Sequence, residues 1–263
     1  NIMNISIKLF VPFTLVLSLL GCDNKPVDAV VESNNGSAEK THFYNEFLAC
    51  NAGPDYSEAN LKTGIGEFNA LNLSDEIYWI GGYAPVEGKN TNSNGWWEIQ
   101  WSSQEASQAG WQEWLADEEA QAWNESFKTV LDCDDTTIFG YETHFPGPES
   151  IALKSWDSFV AAEIACTFNE GKTTENLKTV LKEFTQWVGD SGTGEEFSYG
   201  VYIPVGEHEA DFWWYNWHPD FDSMARGNAN WEANGKEMAA RLEETATCVA
   251  PNLYNGAEFY AAD

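Results

Sequence analysis

The chain has 263 residues, a formal net charge of −29, and aromatic side chains at 14% of positions, 13 of them Trp. So acidic a surface repels the phosphate backbone, which excludes a nucleic-acid partner. The aromatic content excludes a disordered or purely solvating chain and requires a packed core. An acidic surface of this kind also suits solubility in salty water without any cationic ligand.

The first twenty residues carry a single charge, Lys8, followed by an apolar run from Leu9 to Leu20 that is too short to span a bilayer. The run ends on Leu19-Leu20-Gly21-Cys22, which resembles the lipobox of bacterial lipoproteins. That resemblance implies cleavage after residue 21, acylation of Cys22, and a lipid membrane as partner, with the chain on the periplasmic side of a bacterial envelope. Residues 22–40 are polar and poor in aromatics, and read as a flexible tether.

Beyond the tether the chain matches itself at a displacement of 116 residues. Phe43, Ala49, Cys50, Asn60-Leu61-Lys62-Thr63 and Glu67-Phe68 meet Phe159, Ala165, Cys166, Asn176-Leu177-Lys178-Thr179 and Glu183-Phe184. Later matches include Trp97 and Trp101 with Trp213 and Trp217, Gly110-x3-Trp114 with Gly227-x3-Trp231, and Cys133 with Cys248. This predicts two homologous units, 41–146 and 155–263, joined by a linker at 147–154. With Cys22 taken by the anchor, Cys50, Cys133, Cys166 and Cys248 remain, at nearly equal separations within the two units. The simplest pairing is within each unit, Cys50 with Cys133 and Cys166 with Cys248.

In chain order, each unit reads as a strand (43–50, 159–166), a helix (56–72, 172–188) and an aromatic-rich strand (76–84, 197–204). A third strand (96–102, 211–218), a long helical stretch (105–132, 221–247) and a last strand (136–143, 252–260) follow. The order βαββαβ is that of a ferredoxin-like unit. The predicted fold is therefore α+β, two tandem ferredoxin-like repeats packed sheet to sheet as a pseudo-twofold barrel. Two such units in tandem resemble the dimeric α/β-barrel group, which includes antibiotic-biosynthesis monooxygenases and chlorite dismutases. The resemblance implies a monomer with an internal pseudo-dimer.

The third strand alternates. Trp97, Ile99 and Trp101 are expected on the helix-packed face, and so are Trp213, Tyr215 and Trp217. The opposite face would then place Trp96, Glu98 and Gln100, together with Phe212, Trp214 and Asn216, around a ligand cleft between the units. Just after this strand the second unit reads Trp217-His218-Pro219-Asp220-Phe221-Asp222, with Arg226 following, whereas the first has small or neutral residues. His218 with Asp220 and Asp222 could serve as a general base, and Arg226 could hold an anion.

No metal site is expected. Asp132-Cys133-Asp134-Asp135 lacks the spacing of a Ca²⁺ loop and reads as a solvated helix end, and His42, His144 and His208 show no partner pattern. No cofactor is expected either: the haem-binding members of the barrel group need a His on a helix, and no His falls in a predicted helix. Nucleotide, Ser-hydrolase and zinc-protease motifs are absent. The first functional reading is a membrane-anchored periplasmic or surface lipoprotein that binds a small, partly aromatic or apolar ligand between its repeats. The alternatives are a cofactor-independent monooxygenase-like enzyme using the His218 region, and an envelope protein-interaction module.

Overall fold

A computed structural model describes residues 42–91, 94–144, 152–191 and 196–262. The leader, the Cys22 motif, the tether and most of the linker lie outside the described residues. Among the described residues no helix is long and apolar enough to cross a membrane.

The first half runs β1 (His42–Ala52), α1 (Glu58–Phe68), β2 (Ile77–Pro85), β3 (Gly95–Trp101), α2 (Gln104–Ala116), α3 (Glu118–Phe127) and β4 (Leu131–His144). The second runs β5 (Phe159–Phe168), α4 (Thr174–Ser191), β6 (Ser198–Pro204), β7 (Phe212–His218), α5 (Phe221–Asn234), α6 (Lys236–Thr245), β8 (Ala246–Cys248) and β9 (Asn252–Ala261). Each long helical stretch foreseen in the sequence is two helices. Asp117 ends α2 and caps α3, its carboxylate accepting the N–H groups of Glu119 and Ala120. Gly235 stands between α5 and α6, its backbone N–H donating to the Trp231 carbonyl, with no side-chain cap on α6. The acidic run Asp132–Asp135 belongs to β4 and not to a helix end, because Leu131, Asp132 and Cys133 pair in register with Ala52, Asn51 and Cys50.

All strand pairings are antiparallel, in the order β7-β6-β4-β1-β3-β2-β9-β5-β8, and an additional β7–β5 pairing closes the sheet on itself. The halves therefore share one closed sheet, joined at two seams, β2 with β9 and β4 with β6. Closure removes the free edges that an open sheet would present. Both disulfides form as expected, Cys50–Cys133 and Cys166–Cys248, closing loops of 83 and 82 residues. Each contributes about 4–5 kcal/mol in the chain-entropy model.

The helices cover the outside, making one apolar layer per half. The inside of the barrel is a third core of rings, with Phe47, Tyr83, Phe159, Tyr202, Tyr215, Trp217 and Tyr254 at its centre. Two carboxylates enter it. Glu98 on β3 is 1% exposed. It accepts hydrogen bonds from Asn45 Nδ2 at 2.6 Å, Tyr83 OH at 2.5 Å and Tyr202 OH at 2.7 Å. Glu163 on β5 accepts from Tyr254 OH at 2.8 Å. Burial pushes the Glu98 carboxyl up to about 7, against the opposing pull of its three donors.

A carboxyl whose folded-state value lies above its unfolded one holds its proton only in the folded chain across that interval, so stability falls as pH rises through it. Wild-type stability should drop by on the order of 3 kcal/mol between about pH 4.5 and 7 relative to Glu98→Gln, whose amide cannot titrate. Urea unfolding of both proteins at pH 5 and pH 8 measures that difference; a constant gap would refute it.

Candidate functional site

The cleft expected between the halves is filled. A void there, beside Phe47, Trp96, Tyr141, Glu163, Tyr202 and Tyr215, is about 20 Å³, less than a ligand needs. Trp96 and Glu98 face this packed interior, and half-buried Gln100 follows them on the same side of β3. The second half corrects the expected face. Leu48 pairs with Trp97, and its counterpart Ile164 pairs with Trp214, not Trp213. The repeat has slipped by one residue before β7, and a one-residue slip exchanges the two faces of a strand. Trp213, Tyr215 and Trp217 therefore point into the barrel, while Phe212, Trp214, Asn216 and His218 point outward beneath the helices.

That outward face lines a cavity of about 290 Å³ between β7 and helices α4, α5 and α6. Phe184, Trp187, Phe197, Trp214 and Trp231 form its aromatic walls, and Asn216, His218, Asn228 and Asn230 supply polar atoms. Its size is near the lower end of the roughly 300–1,000 Å³ usual for small-molecule sites, and its apolar lining with a few convergent polar groups has the same character. His218 is 5% exposed, with its ring 5.0 Å from that of Phe197.

The first half has a cavity in the same place, of about 90 Å³. The slip makes Trp101 the counterpart of His218, and the helix residues opposite explain the difference in volume. Gly110 of α2 lies against the Trp101 ring, as Gly227 of α5 lies against the His218 ring. Glu46 on β1, 5% exposed, accepts from Trp101 Nε1 at 3.0 Å, Trp111 Nε1 at 2.6 Å and Ser107 Oγ at 2.7 Å. Burial raises its carboxyl above the ordinary range, against these three donors. The matching second-half positions are His218, Asn228, Met224 and, for Glu46, Ala162. Two indoles and a carboxylate have become an imidazole, an amide and a methyl; Met224, in place of Ser107, packs on Ala162, and the open space lies beside His218 and Asn228.

The predicted catalytic cluster is not gathered. Only His218 lines the cavity. Asp220 caps α5, its Oδ1 accepting the Ser223 N–H at 2.7 Å, and Asp222 and Arg226 lie on the exposed side of that helix. Among the described residues no histidine stands on a helix: His42, His144 and His218 are on strands, and His208 is in the loop after β6. Glu46 and Trp111 were missed in the sequence, and Gly227 was noted only in the Gly-x3-Trp match between α2 and α5, without a role.

No protein-family model matches the chain, and no curated protein matches its sequence. Solved structures do share its fold. A Lactobacillus acidophilus protein assigned as a monooxygenase is 12% identical with a TM-score of 0.50, over 85% of this chain and 96% of its own. A double mutant of chlorite dismutase from Candidatus Nitrospira defluvii is 12% identical with a TM-score of 0.50, over 82% of this chain and 92% of its own. The fold is thus that of the dimeric α/β-barrel proteins, a mixed α+β architecture. A ligand-binding lipoprotein holding its ligand between the halves is ruled out as the primary reading. The fold is shared with enzyme-type proteins, and the space assigned to the ligand is occupied by side chains.

The two glycine contacts distinguish a filled site from an open one. A Cβ on Gly110 would lie 2.4 Å from a Trp101 ring carbon that Glu46 holds in place, whereas one on Gly227 would lie 3.2 Å from His218 Cε1, beside free volume. Gly110→Ala should destabilise by about 1–3 kcal/mol. Gly227→Ala should be near neutral, the contact offsetting the roughly 1 kcal/mol that Ala contributes within a helix. Thermal unfolding of the two variants decides, and equal losses would show that the cavities are equally packed.

Proposed function

We propose that this chain is a monooxygenase-like enzyme acting on a small phenolic or quinone-forming substrate in the second-half cavity, with His218 as general base. The observation that carries the reading is the volume of about 290 Å³ around a buried imidazole, at the point where the first half has the Trp101 indole and a cavity of about 90 Å³. The resemblance in fold to a protein assigned as a monooxygenase supports it. Behind the site, we read the two halves as copies of one ferredoxin-like unit. The strand order β4-β1-β3-β2, repeated as β9-β5-β7-β6, supports that reading. The Cys22 motif and two disulfides support a place in the bacterial envelope, outside the reducing cytoplasm.

The chemistry follows from the lining. A planar ring enters between Trp187, Trp214 and Trp231, with its hydroxyl toward His218 and Asn216. A ring nitrogen of His218 takes the phenolic proton, and the electron-rich phenolate adds O2 at the para carbon, forming a C–O bond. Loss of that carbon's hydrogen with cleavage of the O–O bond yields the quinone carbonyl. The departing oxygen leaves as water, taking the proton held by His218 and the hydrogen lost from the para carbon. One phenol and one O2 give one quinone and one H2O, four electrons passing from ring to oxygen. Asn216 can orient the hydroxyl, and the aromatic walls keep bulk water from the intermediate.

Oxygen uptake with 1-naphthol, alongside quinone absorbance, tests the assignment. Wild type should consume one O2 per quinone formed. His218→Ala should lose about 100-fold or more in kcat, since a positioned base contributes about 10²–10⁴. Quenching of tryptophan fluorescence should show naphthol still bound by that variant. No uptake by wild type across simple phenols and hydroquinones, or full activity in His218→Ala, would overturn the reading.

A further inference from the structure

Outside the lining of that cavity, His42 opens β1 and His144 closes β4, and the two are directly opposed in the ladder. Their Nδ1 atoms are 3.2 Å apart and their ring centroids 4.3 Å apart. Glu142 precedes His144 by two residues, so it projects from the same face of the strand. One ligand atom from each of the three lies within 4.8 Å of the others, and His42 and Glu142 are open to solvent. We propose that His42, Glu142 and His144 form a binding site for a divalent transition-metal ion of the Zn²⁺ type.

The spacing suits such an ion. Imidazole nitrogens about 2.0–2.1 Å from Zn²⁺ and 3.2 Å from each other subtend an angle of about 100°, close to tetrahedral. Two imidazoles and one carboxylate are a donor set that Zn²⁺ accepts with a fourth position left to water. Any proton shared between the two Nδ1 atoms moves to an Nε2, leaving both rings neutral and able to ligate. The location gives the ion a task. His144 also pairs with Val201 of β6, so the site lies on the seam where the first half meets the second. A bound ion fastens the first strand of the barrel to the strand carrying that seam. The acidic surface of the chain raises the local concentration of cations. This site is independent of the assignment made for the second-half cavity.

Calorimetric titration of the full-length, metal-free protein with Zn²⁺ should show one equivalent bound, and a melting temperature raised in its presence. His42→Ala and His144→Ala should each weaken binding by at least about tenfold, and Glu142→Gln should weaken it as well. Near-ultraviolet circular dichroism verifies that each variant is folded. Pulsed electron paramagnetic resonance on the Cu²⁺-loaded wild type gives a readout without any mutation, and coupling to two imidazole rings is the expected signature. Unchanged affinity in both histidine variants would place the ion elsewhere on the acidic surface and sink the proposal. So would the absence of a one-equivalent isotherm, or Cu²⁺ without imidazole coupling.

Discussion

A carboxylate sealed inside a ring of strands must find every one of its hydrogen-bond donors within the protein, and Glu98 finds them in both halves. Asn45 and Tyr83 come from the first, and Tyr202 comes from β6 of the second. Trp217 of β7 adds a further link, donating from Nε1 to Tyr83 OH at 3.3 Å. A buried polar group left unsatisfied costs about 1–3 kcal/mol, and more if charged. Sliding one half against the other would strand Glu98 without Tyr202. The network therefore fixes the register of the two seams, where ring packing alone would tolerate small displacements. Filling the interior this way rules it out as a binding site and leaves the outer faces, under the helices, as the place where function can vary.

The outer faces show that variation. In the first half Glu46 gathers Trp101, Trp111 and Ser107 into a plug between β1, β3 and α2. A carboxylate in that position is tolerable only because three donors reach it. In the second half Ala162 needs no donor, so the indoles that served the carboxylate can be replaced. His218 and Asn228 are smaller, and the helix glycine that made room for Trp101 is kept as Gly227. One exchange, Glu to Ala on the first strand, releases the constraint on two others across the sheet. The remaining rings, Trp214 and Trp231, keep the walls of the released space apolar.

The readable features of the sequence were those with a strong local signal or an exact internal match. The four paired cysteines and the element order came from the repeat, which runs without a gap from Phe43 to Phe68. The faces of β7 were not readable. Phe212-Trp213-Trp214-Tyr215-Asn216-Trp217 carries large rings on both sides, so hydrophobic alternation has no contrast to report. The inserted residue shows in the sequence only as a displacement of 117 at Gly110 and Gly227, which does not place it before β7, and aligning Trp97 with Trp213 put the wrong residues outside. The breaks at Asp117 and Gly235 depend on caps whose residues also occur inside helices. The His42–His144 contact joins positions 102 apart, and only the register of β1 on β4 brings them together. Asp220 illustrates the opposite error. A carboxylate two residues from a histidine looks catalytic in a string, but its backbone position makes it the cap of α5.

The charge of the chain bears on what can enter the cavity. A surface with 42 acidic and 13 basic residues presents a negative field, and several of its cations are already held by carboxylates, as Arg241 is by Glu183 and Glu244. A phenolate approaching from solution is repelled, whereas the neutral phenol is not. On the function proposed above, a phenol would arrive protonated and lose its proton inside, where aromatic walls would shield the developing anion from the outer field and an imidazole is at hand. A base on the surface would create the anion in the wrong place. On that proposal the depth of His218 and the acidity of the exterior would be two parts of one arrangement, because a field that excludes a charged substrate calls for an internal base.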